Sequence, residues 1–318
     1  MNKAVLQNRK LYLVCLESGL QNLTDAHLLG AHTEHRRRQP CPHRSPAPPS
    51  TPTPTSFTRA WRWRTLAATR PTTMPPLAQY LGLLDAHGLS HGVLVQPSFL
   101  GTDNSHLLEA LRAAPARLRG VAVVDPAIDD AGLRALAEAG VVGIRLNLIG
   151  LDLPGLAAPA WRHLLDRVNA LGWHVEVHVQ AARLADIMPA LLQAGCRVVV
   201  DHFGRPDPAL GIADPGFQYL LRQAGSGRVW VKLSAPYRNW TGAACATSGR
   251  EAARQLLDAY TPAHLMWGSD WPHTEHRHLA SYPAATQWLD DWIDDPAQRR
   301  VVLADTPLRL FQFQGEFQ

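Results

Sequence analysis

The chain has 318 residues, 46% of them hydrophobic, with 31 Lys and Arg against 27 Asp and Glu for a net charge of +4. That is long for one ordinary domain but normal for an α/β barrel, and no apolar run approaches the roughly 20 residues that cross a bilayer. The basic excess is confined to residues 1–75, which hold 11 Lys and Arg against 3 Asp and Glu and leave 20 against 24 beyond, so no folded basic face for nucleic acid is expected.

The first residues, Lys3 to Cys15, have too short an apolar core for a secretory signal. Residues 10–16 (KLYLVCL) could supply a substitute first strand, although they lie far upstream and carry no ligand at their end. His27, His32 and His35 follow at spacings that suit no common zinc motif, and they are taken as surface histidines. From Arg36 to Pro75 prolines are too dense for helix or central strand and no hydrophobic period exists. Residues 1–75 are therefore expected to be a basic, Pro-rich, disordered tail, and 76–318 the folded domain. Cys15, Cys41, Cys196 and Cys245 lack CxxC spacing, which suggests neither a disulfide framework nor a zinc-cysteine site and fits a reducing cytoplasm.

From Leu77 the pattern changes. A lead-in helix over 77–88 precedes strand 92–96, helix 104–114, strand 120–124, helix 129–139, strand 141–146 and helix 159–171. Strand 174–179, helix 182–194, strand 197–201, helix 214–224, strand 228–233, helix 248–259, strand 264–268 and helix 280–294 complete the series. Short Val-rich runs alternating with amphipathic stretches demand parallel strands with helical crossovers. Seven strands after a lead-in helix predict a (β/α)8 TIM barrel whose first strand is missing or replaced.

The chemistry gathers after the strands. Ser98 and Thr102 follow the first visible strand, Arg145 lies in the third, and His178 closes the fourth. His202 follows the fifth; Lys232, Tyr237 and Arg238 sit at or after the sixth; Asp270, His273 and His276 follow the last. In a parallel barrel these converge on one rim. Asp270, in the run Gly268-Ser269-Asp270-Trp271-Pro272-His273, is either a general base or metal ligand at a strand tip or a helix N-cap. Lys232 is either at the inner rim or simply paired.

The segments VLVQPSFLGTDN, GVVGIRLNL, GWHVEVHVQ, VVVDHFGRPDP, VWVKLSAPYR and MWGSDWPHTEH resemble the amidohydrolase superfamily, closest to its amidohydrolase-2 branch of 2-pyrone-4,6-dicarboxylate lactonase-like hydrolases, over residues 77–312. The resemblance implies a hydrolase with His178, His202 and Asp270 as catalytic residues and, where metal is bound, as its ligands. It implies either one divalent ion, zinc or manganese, or metal-free hydrolysis. Arg145 and Arg238 would grip a carboxylated small-molecule substrate, and Tyr237, Ser98, Thr102 and His273 would contact it. An oligomer is compatible with the family; a nucleic-acid or membrane partner is not expected.

The departure from the family is at the front, where an Asp-x-His-x-His is expected and none occurs before Leu77. Residues 49–56, back-translated one base out of frame, can spell Val-Asp-Ala-His-Ala-His-Val. The tail is therefore read as a frameshifted segment ending near Pro76, a reading that the nucleotide sequence across codons 40–80 tests. The expected function is opening of a carboxylated lactone or ester by Asp-activated water. The alternatives are a metal-dependent decarboxylase on the same barrel and a defective barrel without catalysis.

Overall fold

The computed structural model describes the backbone of Lys10–Cys15 and residues 76–313. The Pro-rich stretch, His27, His32, His35 and the frameshift reading lie outside the described residues. The barrel belongs to the unit formed by residues 1–20 and 65–318.

Eight parallel strands close in sequence order: β1 (Lys10–Cys15), β2 (Leu89–Val95), β3 (Leu118–Ala122), β4 (Val141–Asn147), β5 (His174–His178), β6 (Arg197–Val200), β7 (Val229–Ser234) and β8 (Leu265–Gly268). The first strand is thus replaced and not missing. The run at Lys10 pairs along β2 from Leu89 to Val95 and meets β8 where Leu13 aligns with Gly268. A closed ring leaves no strand edge to aggregate, unlike the open barrel that a missing stave would give.

The crossovers are α1 (Leu77–Ala86), α2 (Ser105–Ala113), α3 (Asp130–Glu138), α4 (Pro159–Ala170), α5 (Leu184–Gln193), α6 (Pro215–Arg222), α7 (Ala244–Tyr260) and α8 (Tyr282–Trp292). Their starts carry the chemistry that orphan N–H groups need. Asp129 accepts from Gly132, Asp214 from Gly216 and Phe217, and Ser281 from Ala284, while α4, α6 and α8 each open on a proline near the first turn. Among the described residues no helix is long and apolar enough to cross a membrane.

The core has two parts because barrel side chains alternate between an outer and an inner face. Leu94, Leu111, Leu164, Val175 and Leu256 pack strands against helices. Inside, Val93, Val95, Val121, Val199, Met266 and Phe311 form a smaller cluster. Phe311 comes from a C-terminal segment absent from the sequence expectation: α9 (Pro296–Arg300), a π-helical turn (Val301–Asp305) and α10 (Thr306–Leu310). Its ring meets His174 edge-on, centroids 5.2 Å apart. Gly143 makes room for that histidine, since a Cβ there would lie 2.3 Å from the imidazole.

Candidate active site

Strand periodicity aims His174, Glu176 and His178 of β5 at the same interior face. Neighbouring strands supply Arg145 from β4 and Lys232 from β7, with Asp201 just past the end of β6, all buried. Two cations and two anions meet there. Lys232 Nζ lies 2.5 Å from Glu176 Oε2 and 2.9 Å from Asp201 Oδ1. Arg145 Nε lies 3.3 Å from Glu176 Oε1, and Nη2 donates to Asp201 Oδ2 at 2.9 Å. Burying charge is tolerated only when it is compensated like this. Burial, followed by the charge of Asp201, pushes the Glu176 carboxyl up to about 7 against the pull of Lys232 and Arg145. For Asp201, burial acts upward, but Lys232 and then Arg145 overcome it and hold the group well below the usual carboxylate range.

The strand-tip residues come together beside this quartet. The rings of His178 and His202 meet edge-on with centroids 4.9 Å apart. His202 Nδ1 is 2.8 Å from Ser234 Oγ, and its Nε2 is 3.9 Å from Asp270 Oδ1. Asp270 is completely buried. Its Oδ2 accepts from Tyr237 Oη at 2.6 Å and from Arg238 Nε at 2.9 Å. Because Tyr237 spends its proton on Asp270, the contact of 3.1 Å between its oxygen and His273 Nδ1 has the imidazole donating. Burial first, then Arg238 and Arg277, drives His273 down to about 4, so it is neutral at physiological pH.

The backbone under these residues is strained. His202, Phe203, Arg205, Ala235, Asp270, His273 and Glu275 all have positive φ without being glycine. Each such residue costs free energy that a structural turn would avoid with glycine, and all seven lie on the loops after β6, β7 and β8. That concentration marks the rim as the working end.

The model of the family described as amidohydrolase matches residues 31–313. The chain belongs to the amidohydrolase family. It is 29% identical over 244 residues to a 2-pyrone-4,6-dicarboxylate hydrolase of Comamonas testosteroni, covering 74% of this chain and 80% of that protein. To a 4-sulfomuconolactone hydrolase of Hydrogenophaga intermedia it is 30% identical over 252 residues, covering 76% and 82%. A solved structure from Acinetobacter baumannii, described as a probable 2-pyrone-4,6-dicarboxylic acid hydrolase with citric acid bound, superposes with a TM-score of 0.75. It shares 38% identity, over 78% of this chain and 93% of that one.

In this amidohydrolase the expected site residues divide. His178, His202, Asp270, Tyr237, Arg238 and His273 are joined by the contacts above. Arg145, expected to grip a substrate carboxylate, is instead buried and committed to Glu176, Asp201 and His178. Lys232 is paired, which settles its alternative. Ser98 and Thr102 sit exposed on the loop after β2, and His276 stacks at a tilt on Tyr237, centroids 5.1 Å apart.

His178, Asp201 and His202 offer ligand atoms all within 4.8 Å of one another, a spacing that metal ligands require. The carboxylate in this group is Asp201, where the expected ligand set has Asp270. As arranged, however, the trio does not fit a divalent ion. Both carboxylate oxygens of Asp201 face cations, and His178 Nδ1 faces the Arg145 guanidinium. A metal would add positive charge beside two buried cations.

Glu176, Asp201 and Ser234 were not among the expected site residues. Glu176 carried a signal, since it shares the two-residue period of His174 and His178 and so had to point inward. Asp201 and Ser234 carried none beyond their place at strand ends.

Proposed function

We propose that this amidohydrolase opens a carboxylated lactone, with Asp270 as the base that activates water. The observation that carries the reading is Asp270 itself: a buried carboxylate, on a strained backbone, with one oxygen fixed by two donors and the other 3.9 Å from His202. With Oδ2 accepting from two donors, Oδ1 is the oxygen assigned to take a proton in this reaction. As water attacks the lactone carbonyl, that proton passes to Oδ1. His178 and His202 then stabilise the oxyanion, and the ring C–O bond breaks as the leaving oxygen takes the proton back from Asp270.

No step in this sequence passes through a metal. Arg238 is the better of the two expected arginines for substrate carboxylate, since Arg145 is enclosed. Two relatives are named as lactone or pyrone-dicarboxylate hydrolases, and the Acinetobacter baumannii protein holds citric acid, so a carboxylate-bearing substrate class is favoured.

The test is Asp270→Asn assayed on a panel of carboxylated lactones. Loss of about 10³-fold or more in kcat, with the fold intact by circular dichroism, is expected of a missing base. Undiminished turnover would refute the assignment. Release of carbon dioxide in place of ring opening would favour a decarboxylase.

A further inference from the structure

Among the contacts of Arg145 inside the barrel, one fixes a proton. Nη1 donates to the Gln96 carbonyl at 3.4 Å, Nε faces Glu176, and Nη2 is shared between Asp201 Oδ2 and His178 Nδ1, the last at 3.2 Å. A guanidinium has donors only, and it stays charged at any pH the protein meets. The His178 nitrogen that it faces must therefore accept, and an accepting imidazole nitrogen carries no proton. The ring's single proton is then on Nε2. Flipping the ring would set Cδ2–H against the guanidinium and forfeit the bond.

We propose that Arg145 is a positioning residue that holds His178 in its Nε2–H form, so that His178 offers a hydrogen-bond donor to the reacting carbonyl and not a lone pair to a metal.

The guanidinium is itself held, which gives the assignment its rigidity. Lys232 takes the second oxygen of Asp201 and of Glu176, so both acceptors of Arg145 are anchored from the opposite side. The chain from Lys232 through Asp201 and Arg145 to His178 links β7, the end of β6, β4 and β5. It ties four staves of the barrel to the tautomer of one ring. A free histidine in water favours Nε2–H only modestly; a fixed donor on Nδ1 removes the alternative. The proposal rests on the hydrolase reading only for the group that Nε2–H meets, and the tautomer is measurable without any substrate.

The experiment is long-range proton–nitrogen NMR on the full-length chain labelled with 15N in its histidine rings, with the His178 signals assigned by their disappearance in His178→Gln. At neutral pH the wild type is expected to show an unprotonated Nδ1 and a protonated Nε2. A proton on Nδ1, or on both nitrogens, would overturn the proposal whatever the enzyme turns over. Arg145→Lys, which keeps a charged donor, is expected to retain the tautomer. Arg145→Met should mix the two forms and lower kcat at least tenfold while KM stays within about threefold, the pattern of an interaction made in the transition state. A large rise in KM with kcat preserved would show instead that Arg145 clamps substrate. Should Arg145→Met fail to fold, the wild-type spectrum decides alone. Should the wild-type tautomer be as stated while no lactone is opened, the function and not the positioning role has failed.

Discussion

Lys232→Met tests the buried quartet directly. With both carboxyls ionised, Lys232 and Arg145 balance Glu176 and Asp201, and the four fully buried side chains carry no net charge. Methionine fills nearly the same volume but leaves one uncompensated negative charge. Breaking a buried pair by removing one partner costs about 3–5 kcal/mol. Part of that cost is relieved by protonating Glu176, whose carboxyl already stands near 7 and rises further once Lys232 no longer pulls it down. A carboxyl raised in the folded state stabilises at low pH, and that stability is lost as pH climbs toward the folded value. The variant should thus keep losing stability above pH 7, by up to about 1.4 kcal/mol per pH unit, where the wild type has already lost this contribution. Urea unfolding followed by fluorescence of the 10 tryptophans at pH 6 and pH 9 measures both effects. Adding Glu176→Gln restores neutrality with Arg145 and Asp201 alone, so the double variant should be more stable than Lys232→Met at pH 9. A single variant costing less than about 1 kcal/mol, or a double variant no better than the single, would refute the charge balance.

Three further outcomes follow from the geometry. Tyr237→Phe removes a donor from Asp270 Oδ2 and the acceptor of His273 Nδ1, and should lower kcat about 10- to 100-fold on the lactone that the wild type opens; an unchanged rate would show that Arg238 alone orients the base. His174 is held down to about 3, by burial first, and His273 to about 4. Both lie below the ordinary 6.5, so their stability is complete above pH 6.5 and is lost as pH falls toward 4, where the unfolded chain takes protons that the folded one refuses. Chemical denaturation between pH 7 and 4.5 should show a decline that flattens in His273→Asn, and equal slopes would refute the assignment to His273. Gly216→Ala would set a Cβ 2.1 Å from the Ala181 backbone, whereas Gly82 in α1 has nothing within 4 Å. The first should destabilise by about 3 kcal/mol and the second stabilise by about 0.5–1 kcal/mol, with unfolding midpoints moving in opposite directions.

Most of the barrel was legible because its signals are local. Val-rich runs such as Arg197–Val200 and helices opened by Asp129, Asp214 and Ser281 declare themselves within a few residues. The closing stave did not. Lys10–Cys15 is readable as a candidate substitute strand, but nothing in it says that it pairs with Leu89–Val95, more than 70 residues on, since strand pairing is a contact between distant segments. The C-terminal segment that carries Phe311 was missed for the opposite reason: α9 and α10 have five residues each, too few to show a helical period.

The candidate site follows the same division, and its hidden part governs what its visible part can do. His178, His202 and Asp270 are readable as polar residues ending strands. Their protonation is not readable, because it is set by partners from other staves. Arg145 reads in sequence as a cation for a substrate carboxylate, and only the convergence of β4, β5, β6 and β7 turns it inward to Glu176, Asp201 and His178. The same convergence occupies Asp201 with two cations and so removes a carboxylate that a metal would need. A histidine pair that suggests a metal site in sequence thus lies beside a buried ion cluster, where the Arg145 contact bears on the proton of His178. In the proposed reaction such rings donate to a developing oxyanion, beside Asp270, whose Oδ2 accepts from Tyr237 and Arg238.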